Sequence, residues 1–150
     1  MAMITVTHLG SDAFEIHSRD HTIYVDQPAA GRVEIGPTPT ELFVASLAGC
    51  AAHYAEHFLR RHDLPYEGLR VECGWAMRVA PPARVTRVNI RVIPPETVPP
   101  YWRAELVAAV EACTVHNTLR QPPAVSVELS DSRTADDRRV MVGSDTPSER

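Results

Sequence analysis

The chain has 150 residues and a formal net charge of −4 at pH 7, so it is long enough to bury a core and carries no charge bias toward nucleic acid or an acidic membrane surface. No apolar run reaches the ~18–20 residues that cross a bilayer, and MAMITVTHLG lacks the basic-then-apolar order of a secretory signal. Three cysteines are too few, and odd in number, for a disulfide scaffold; the expectation is a cytoplasmic single domain whose cysteines are buried, catalytic or metal-bound.

Strict alternation predicts strands over Met3–Leu9, Ala13–His17 and His21–Asp26, joined by turns at Gly10-Ser11-Asp12 and Ser18-Arg19-Asp20, in an antiparallel meander. A loop from Gln27 to Pro37 follows. The strongest helical signal is Gly36–Arg61. Thr38 suits its N-cap, Pro39 the first helical position, and Glu41 completes a capping box. Leu42–Ala52 is apolar or small on all sides, which predicts a helix buried all round, by a wrapping sheet or by a second subunit. From His53 to Arg61 the pattern turns amphipathic. Gly68–Val79 alternates with Leu69, Val71, Cys73, Trp75, Met77 and Val79 on one face, and Val85–Ile93 returns with Val88, Ile90 and Val92 inward. A second helix is expected over Tyr101–Ala112 and a short helix or turn over Val115–Arg120. A last strand is expected over Ala124–Leu129. Residues 1–130 read as one domain and 131–150 as a polar tail with a small Val140-Met141-Val142 patch. The element order gives an α+β fold, antiparallel sheets around a central buried helix.

Cys50 sits in the most apolar part of the long helix. Packing as a small hydrophobe is the commoner role of such a thiol, and reactivity there requires a nearby cation. Cys113 lies where one helix ends and CTVHNTL opens the next, so the helix dipole predicts the more acidic thiol there. Cys73 reads as core. Cys50, His53 and His57 share a helix face, and Cys113 with His116 repeats the C-x-x-H spacing, so Cys50, His53, Cys113 and His116 form an alternative, zinc-like set. Arg19, in a turn, is the candidate charge partner for Cys50. Glu41 lies roughly 13 Å along the axis from Cys50 at ~1.5 Å per residue.

GPTPTELFVASLAGC, then CTVHNTL and a PPAVSVEL segment, together resemble the OsmC/Ohr family (osmotically inducible protein C and organic hydroperoxide resistance protein) over about residues 3–130. ELFVASLAGC is similar to the broader OsmC-like branch. The resemblance implies an intertwined homodimer with two central helices, and a thiol peroxidase acting on organic hydroperoxides. It makes Cys50 the peroxidatic cysteine and Cys113 the resolving one, joined by a disulfide that a dithiol such as protein-bound lipoamide reopens. It places Arg19 beside Cys50, held by an acid near the helix start. The family's acid directly follows the proline, where this chain has Thr40. Glu41, one residue on, points about 100° away around the helix. Phe43, Leu47 and Tyr54 are expected to make the pocket apolar. No metal or other cofactor is expected in this reading.

Overall fold

Alternation does form the first three strands. In the computed structural model, which describes residues 3–130, β1 (Ile4–Gly10), β2 (Ala13–Ser18) and β3 (His21–Val25) make an antiparallel sheet in the order β1-β2-β3. Register puts Val6 opposite Ile16 and Ile16 opposite Ile23, while Thr5 faces His17 and His17 faces Thr22. Successive side chains alternate across a strand, so one sheet face is apolar and the other polar. The apolar face stays largely open: Ile4, Val6, Phe14 and Ile23 are all exposed within the single chain.

The loop after β3 is organised by a buried carboxylate. Asp26 is 1% exposed, and Arg32 donates to both of its oxygens at 2.7 Å. The backbone N–H groups of Gln27 and Ile35 complete its shell at 2.7 and 3.3 Å, and Arg32 also donates to the Gln27 carbonyl. A buried charge is tolerated only when paired and hydrogen-bonded in this way. The Asp26 N–H then reaches the Pro37 carbonyl at 3.1 Å, which brings the chain back to β3 before the long helix begins. Gly36 is obligatory there, since a Cβ at this position would lie 2.1 Å from the Tyr24 carbonyl oxygen.

The long helix, α1 (Pro39–Arg61), starts as its sequence predicts. Thr38 is the N-cap. Its Oγ1 accepts from the Glu41 N–H at 3.1 Å, while Glu41 Oε2 accepts from the Thr38 N–H at 2.7 Å and the Thr38 hydroxyl at 2.9 Å. At the far end Asp63 takes a left-handed φ of 53°, and the Leu64 N–H closes on the Leu59 carbonyl.

α1 packs on the hairpin of β4 (Arg70–Arg78) and β5 (Arg84–Ile93) and on α2 (Arg103–Glu111), which a short 3-10 turn at Pro100–Trp102 introduces. Ala51, Ala55 and Leu59 meet Val98, Leu106 and Val110 in the core, flanked by Val71, Ile90, Val92 and Trp102. Two alanines on the contact face let α2 approach α1 closely. The last helix, α3 (Thr114–Arg120), follows α2 almost directly. The architecture is the expected α+β one, with antiparallel sheets and a central helix.

Two expectations need correction for the single chain. α1 is buried along one stripe only, Val44, Leu47, Ala51, Ala55 and Leu59, because β4–β5, α2 and α3 supply one covering layer. Of the remaining small and apolar positions, Phe43, Ala45 and Gly49 are exposed, while Leu42, Ala48 and Ala52 are half-buried. Ala124–Leu129 forms no strand within the chain. It has the alternation of one, yet Val125, Val127 and Leu129 are at least 85% exposed, since no neighbouring edge is offered to it. The tail expected at 131–150 lies outside the described residues.

Arg32 holds the Asp26 carboxyl below the usual value of 3.8. With the folded pKa depressed, the pair's stabilisation is present above the unfolded value and is lost as pH falls through the folded one. Asp26→Asn should therefore lower the melting temperature at neutral pH and shrink the difference from the parent below about pH 4. Thermal melts from pH 2.5 to 7.5 check this; a constant difference across the range would mean the charge is irrelevant.

Candidate functional site

Cys50 and Cys113 come together. Cys50 lies on α1 three residues beyond buried Leu47, and Cys113 is the N-cap of α3, fully buried. Neighbouring helices bring the two free thiols near enough to interact. The turn between α2 and α3 explains the placement. The Cys113 N–H closes on the Val110 carbonyl, the Asn117 N–H closes on the Cys113 carbonyl, and the Cys113 sulfur accepts from the His116 N–H at 3.4 Å. A thiol used as the N-cap must point back into the molecule, toward α1.

The electrostatics at Cys113 reverse the helix-dipole expectation. Burial pushes its thiol above the ordinary value of 9.0 and outweighs the His116 N–H, which pulls it down; the adjacent Cys50 raises it further. A short helix offers a few partial charges, whereas complete removal from water acts on the whole thiolate. Cys73 is half-buried on β4 with its thiol likewise raised by burial, in keeping with a core role.

Arg19 and Glu41 do not join the thiols within the chain. Arg19 is exposed in the two-residue turn between β2 and β3, at a left-handed φ of 54°. Among the described residues it makes no ion pair. The Glu41 carboxylate is taken up by Thr38, whose N–H and hydroxyl hold it below its usual range.

The zinc-like set does not assemble either. His53 and His57 stack on the exposed side of α1 with ring centroids 6.4 Å apart, and among the described residues no three His, Cys, Asp or Glu side chains converge as metal ligands.

A mostly apolar cavity of about 570 Å³ is lined by Phe43 and Leu47 of α1, Val88 and Ile90 of β5, Val110 of α2 and Leu119 of α3, with Arg87, Glu111 and Arg120 also on its wall; neither Cys50 nor Cys113 lines it. His116 also lines it, so the residue whose N–H touches the Cys113 sulfur presents its side chain to the cavity. Phe43 and Leu47 are where the sequence suggests. Tyr54 is not among the lining residues; its hydroxyl hydrogen-bonds the Thr114 hydroxyl at 3.0 Å. The sequence reading missed that link and the Asp26–Arg32 pair. A faint signal for the first exists, since Tyr54 lies one helical turn past Cys50 and Thr114 directly follows Cys113.

A family model described as OsmC-like protein matches residues 31–128. No curated protein matches the chain in sequence. Among solved structures, a Psychrobacter arcticus protein described by osmotic stress induction and a detoxification response is similar with a TM-score of 0.69 and 21% identity, over 79% of this chain and 88% of that one. An OsmC-like protein of Mycoplasma pneumoniae gives 0.67 and 19% over 81% and 89% of the two chains. The organic hydroperoxide resistance protein OhrB of Bacillus subtilis gives 0.60 and 24% over 87% and 98%. The likenesses share this fold, and the family match spans both cysteines and the helix between the sheets: the chain belongs to the OsmC-like protein family.

Proposed function

We propose that this protein is a thiol peroxidase that reduces organic hydroperoxides through Cys50 and Cys113. The observation that carries the reading is the meeting of two free thiols on neighbouring helices, with a mostly apolar cavity walled by their neighbours Leu47 and His116. In this reading the Cys50 thiolate attacks the terminal peroxide oxygen, the O–O bond breaks, and the alcohol leaves with a proton. Cys50 becomes a sulfenic acid. The Cys113 thiolate then attacks that sulfur, an S–S bond forms, and the oxygen departs as water. An external dithiol, for example a lipoyl group on a protein, reopens the disulfide by exchange and is itself oxidised to a cyclic disulfide. The names of relatives such as OhrB and the Elizabethkingia anophelis organic hydroperoxide resistance protein agree with the substrate class. An apolar lining selects an organic group over hydrogen peroxide.

The working unit in this proposal is a homodimer. The open face of β1–β3, the open side of α1 and the exposed Val125-Val127-Leu129 row are three apolar surfaces that one chain leaves in water, and a second copy offers the matching surfaces. Association also supplies what the single chain lacks, Arg19 arriving at Cys50 from a sheet that its own α1 barely touches. An arginine kept at a left-handed backbone position, at a cost of roughly 1–2 kcal/mol, favours a use for that side chain. Light scattering should give twice the chain mass, and Val127→Asp should shift it toward the monomer at micromolar concentration. A monomeric parent chain would end the dimer reading.

A second reading, a non-catalytic OsmC-like protein, is favoured by one observation, the Glu41 carboxylate being already spent on Thr38. Intact-mass measurement separates the two. One equivalent of cumene hydroperoxide should remove two hydrogens from the parent chain, and a dithiol should restore them. Cys50→Ser should lose peroxide consumption by at least ~100-fold, while Cys113→Ser should stop at a sulfenic acid that dimedone traps. Unchanged turnover in both variants would exclude the mechanism.

The raised Cys113 thiol gives this scheme a pH signature. Only its thiolate closes the disulfide, so below the thiol pKa closure should quicken by about tenfold per pH unit. Rapid quenching between pH 6 and 8.5 reads this rate; a flat profile would show that another group takes the Cys113 proton.

A further inference from the structure

We infer that Tyr54 is a positioning residue for disulfide closure, acting through its hydrogen bond to Thr114 to hold α3 where the Cys113 thiol faces Cys50. The inference deepens the thiol-peroxidase reading and rests on it for its role in turnover.

α3 is otherwise weakly attached. It is seven residues long, and none of its own residues is buried. Beyond it residues 122–129 run extended and exposed, so nothing downstream clamps it. Its side-chain hydrogen bonds turn inward on the α2–α3 corner. Asn117 Nδ2 donates to the Ala112 carbonyl and Thr118 Oγ1 to the Thr114 carbonyl, at 3.0 and 2.9 Å. Among the described residues, the Tyr54–Thr114 contact is the one side-chain hydrogen bond between α1 and α3. The rest of the attachment is the buried Cys113, the group that must react, with the half-buried Val115 and His116 and a long Arg120–Glu111 ion pair to α2 at 4.0 Å.

Placement makes the contact consequential. Tyr54 is four residues past Cys50, hence on the same side of α1, and Thr114 is bonded to Cys113. The two hydroxyls thus bridge the helices one turn from where the sulfurs meet. A disulfide forms only with Cα atoms roughly 4.4–6.8 Å apart and a narrow torsion at sulfur. A displacement of ~1 Å at a reacting pair can cost up to ~100-fold in rate. The peroxide-consuming step takes its nucleophile, Cys50, from α1, and α3 enters it only through His116 and Leu119 on the cavity wall. Closure needs both helices. In that step the Cys113 thiol gives up its proton, its sulfur displaces the hydroxyl of the Cys50 sulfenic acid, and that hydroxyl takes up a proton and leaves as water, so no further oxidant or reductant enters.

The bridge therefore acts on the second step and on the stability of the disulfide. Tyr54→Phe keeps the ring and removes the bond. Single-turnover quenching with cumene hydroperoxide should show closure slowed about tenfold, against about twofold or less on sulfenic acid formation. Dimedone-trappable Cys50 should accumulate in the variant. Thr114→Ala should match it, the double variant should be no slower, and Thr114→Ser should recover the parental rate. Closure at the parental rate in Tyr54→Phe, or equal slowing of both steps, would overturn the inference. Equilibration against glutathione redox buffers tests the same bridge without peroxide: Tyr54→Phe should favour the open dithiol by about fivefold. An unshifted equilibrium counts against the bridge. A shift in a protein that never consumes peroxide keeps the bridge and rejects the peroxidase reading.

Discussion

The placement of every candidate group depends on how the chain passes from the β1–β3 sheet into α1, and a single buried carboxylate controls that passage. Asp26 ends β3 and is wrapped by Arg32 and two backbone N–H groups. The geometry leaves the loop little freedom. One side is pinned by the Asp26 N–H on the Pro37 carbonyl, the other by Gly36 pressed against Tyr24. Directly after it the capping box starts α1. The sheet that carries Arg19 and the helix that carries Cys50 are thus joined by a stiff corner whose own polar groups are satisfied.

Within the helical layer, burial and not the helix dipole decides the character of the two thiols. A helix N-terminus contributes roughly 0.3–1 kcal/mol to a nearby charge. Cys113 is sealed from water, and that sealing raises its thiol in spite of the His116 N–H. In the proposed peroxidase a thiol that resists ionisation suits the second step better than the first, because it stays reduced until its neighbour has been oxidised beside it.

Much of this was legible in the residues. Periods of two and 3.6 located five strands and α1, α2 and α3. The T-P-T-E run marked the helix start, and the capping box is present as read. What periodicity could not convey is who covers whom. Val125, Val127 and Leu129 alternate as a strand should, but a strand is a relation between two segments, and the single chain offers no second one. The same holds for α1, whose all-round apolarity does not say what covers the sides that the single chain leaves open. Partnerships at long range were equally silent. Nothing in the spacing of Asp26 and Arg32 announces a buried ion pair. The meeting of Cys50 with Cys113 followed from a resemblance, not from a pattern, because it depends on α2 turning the chain back along α1.

The acid near the helix start shows how a one-residue shift redistributes work. A carboxylate at Thr40 would project from a different side of the first turn and remain free to hold a guanidinium. At Glu41 it lies at the third helical position, where the orphan N–H of Thr38 is within reach, and the backbone takes it. Local geometry wins because the capping partner is always present, while an arginine must be brought from elsewhere. In the proposed site Arg19 is oriented by other means, and its own backbone supplies one. In a two-residue turn with a left-handed φ, the chain direction on both sides is fixed by the β2–β3 register from Ser18 to His21. The stem of the side chain leaves the sheet along one line. A rigid turn on a paired hairpin can thereby replace a carboxylate clamp, provided that the cation it aims meets Cys50 across the contact between two copies.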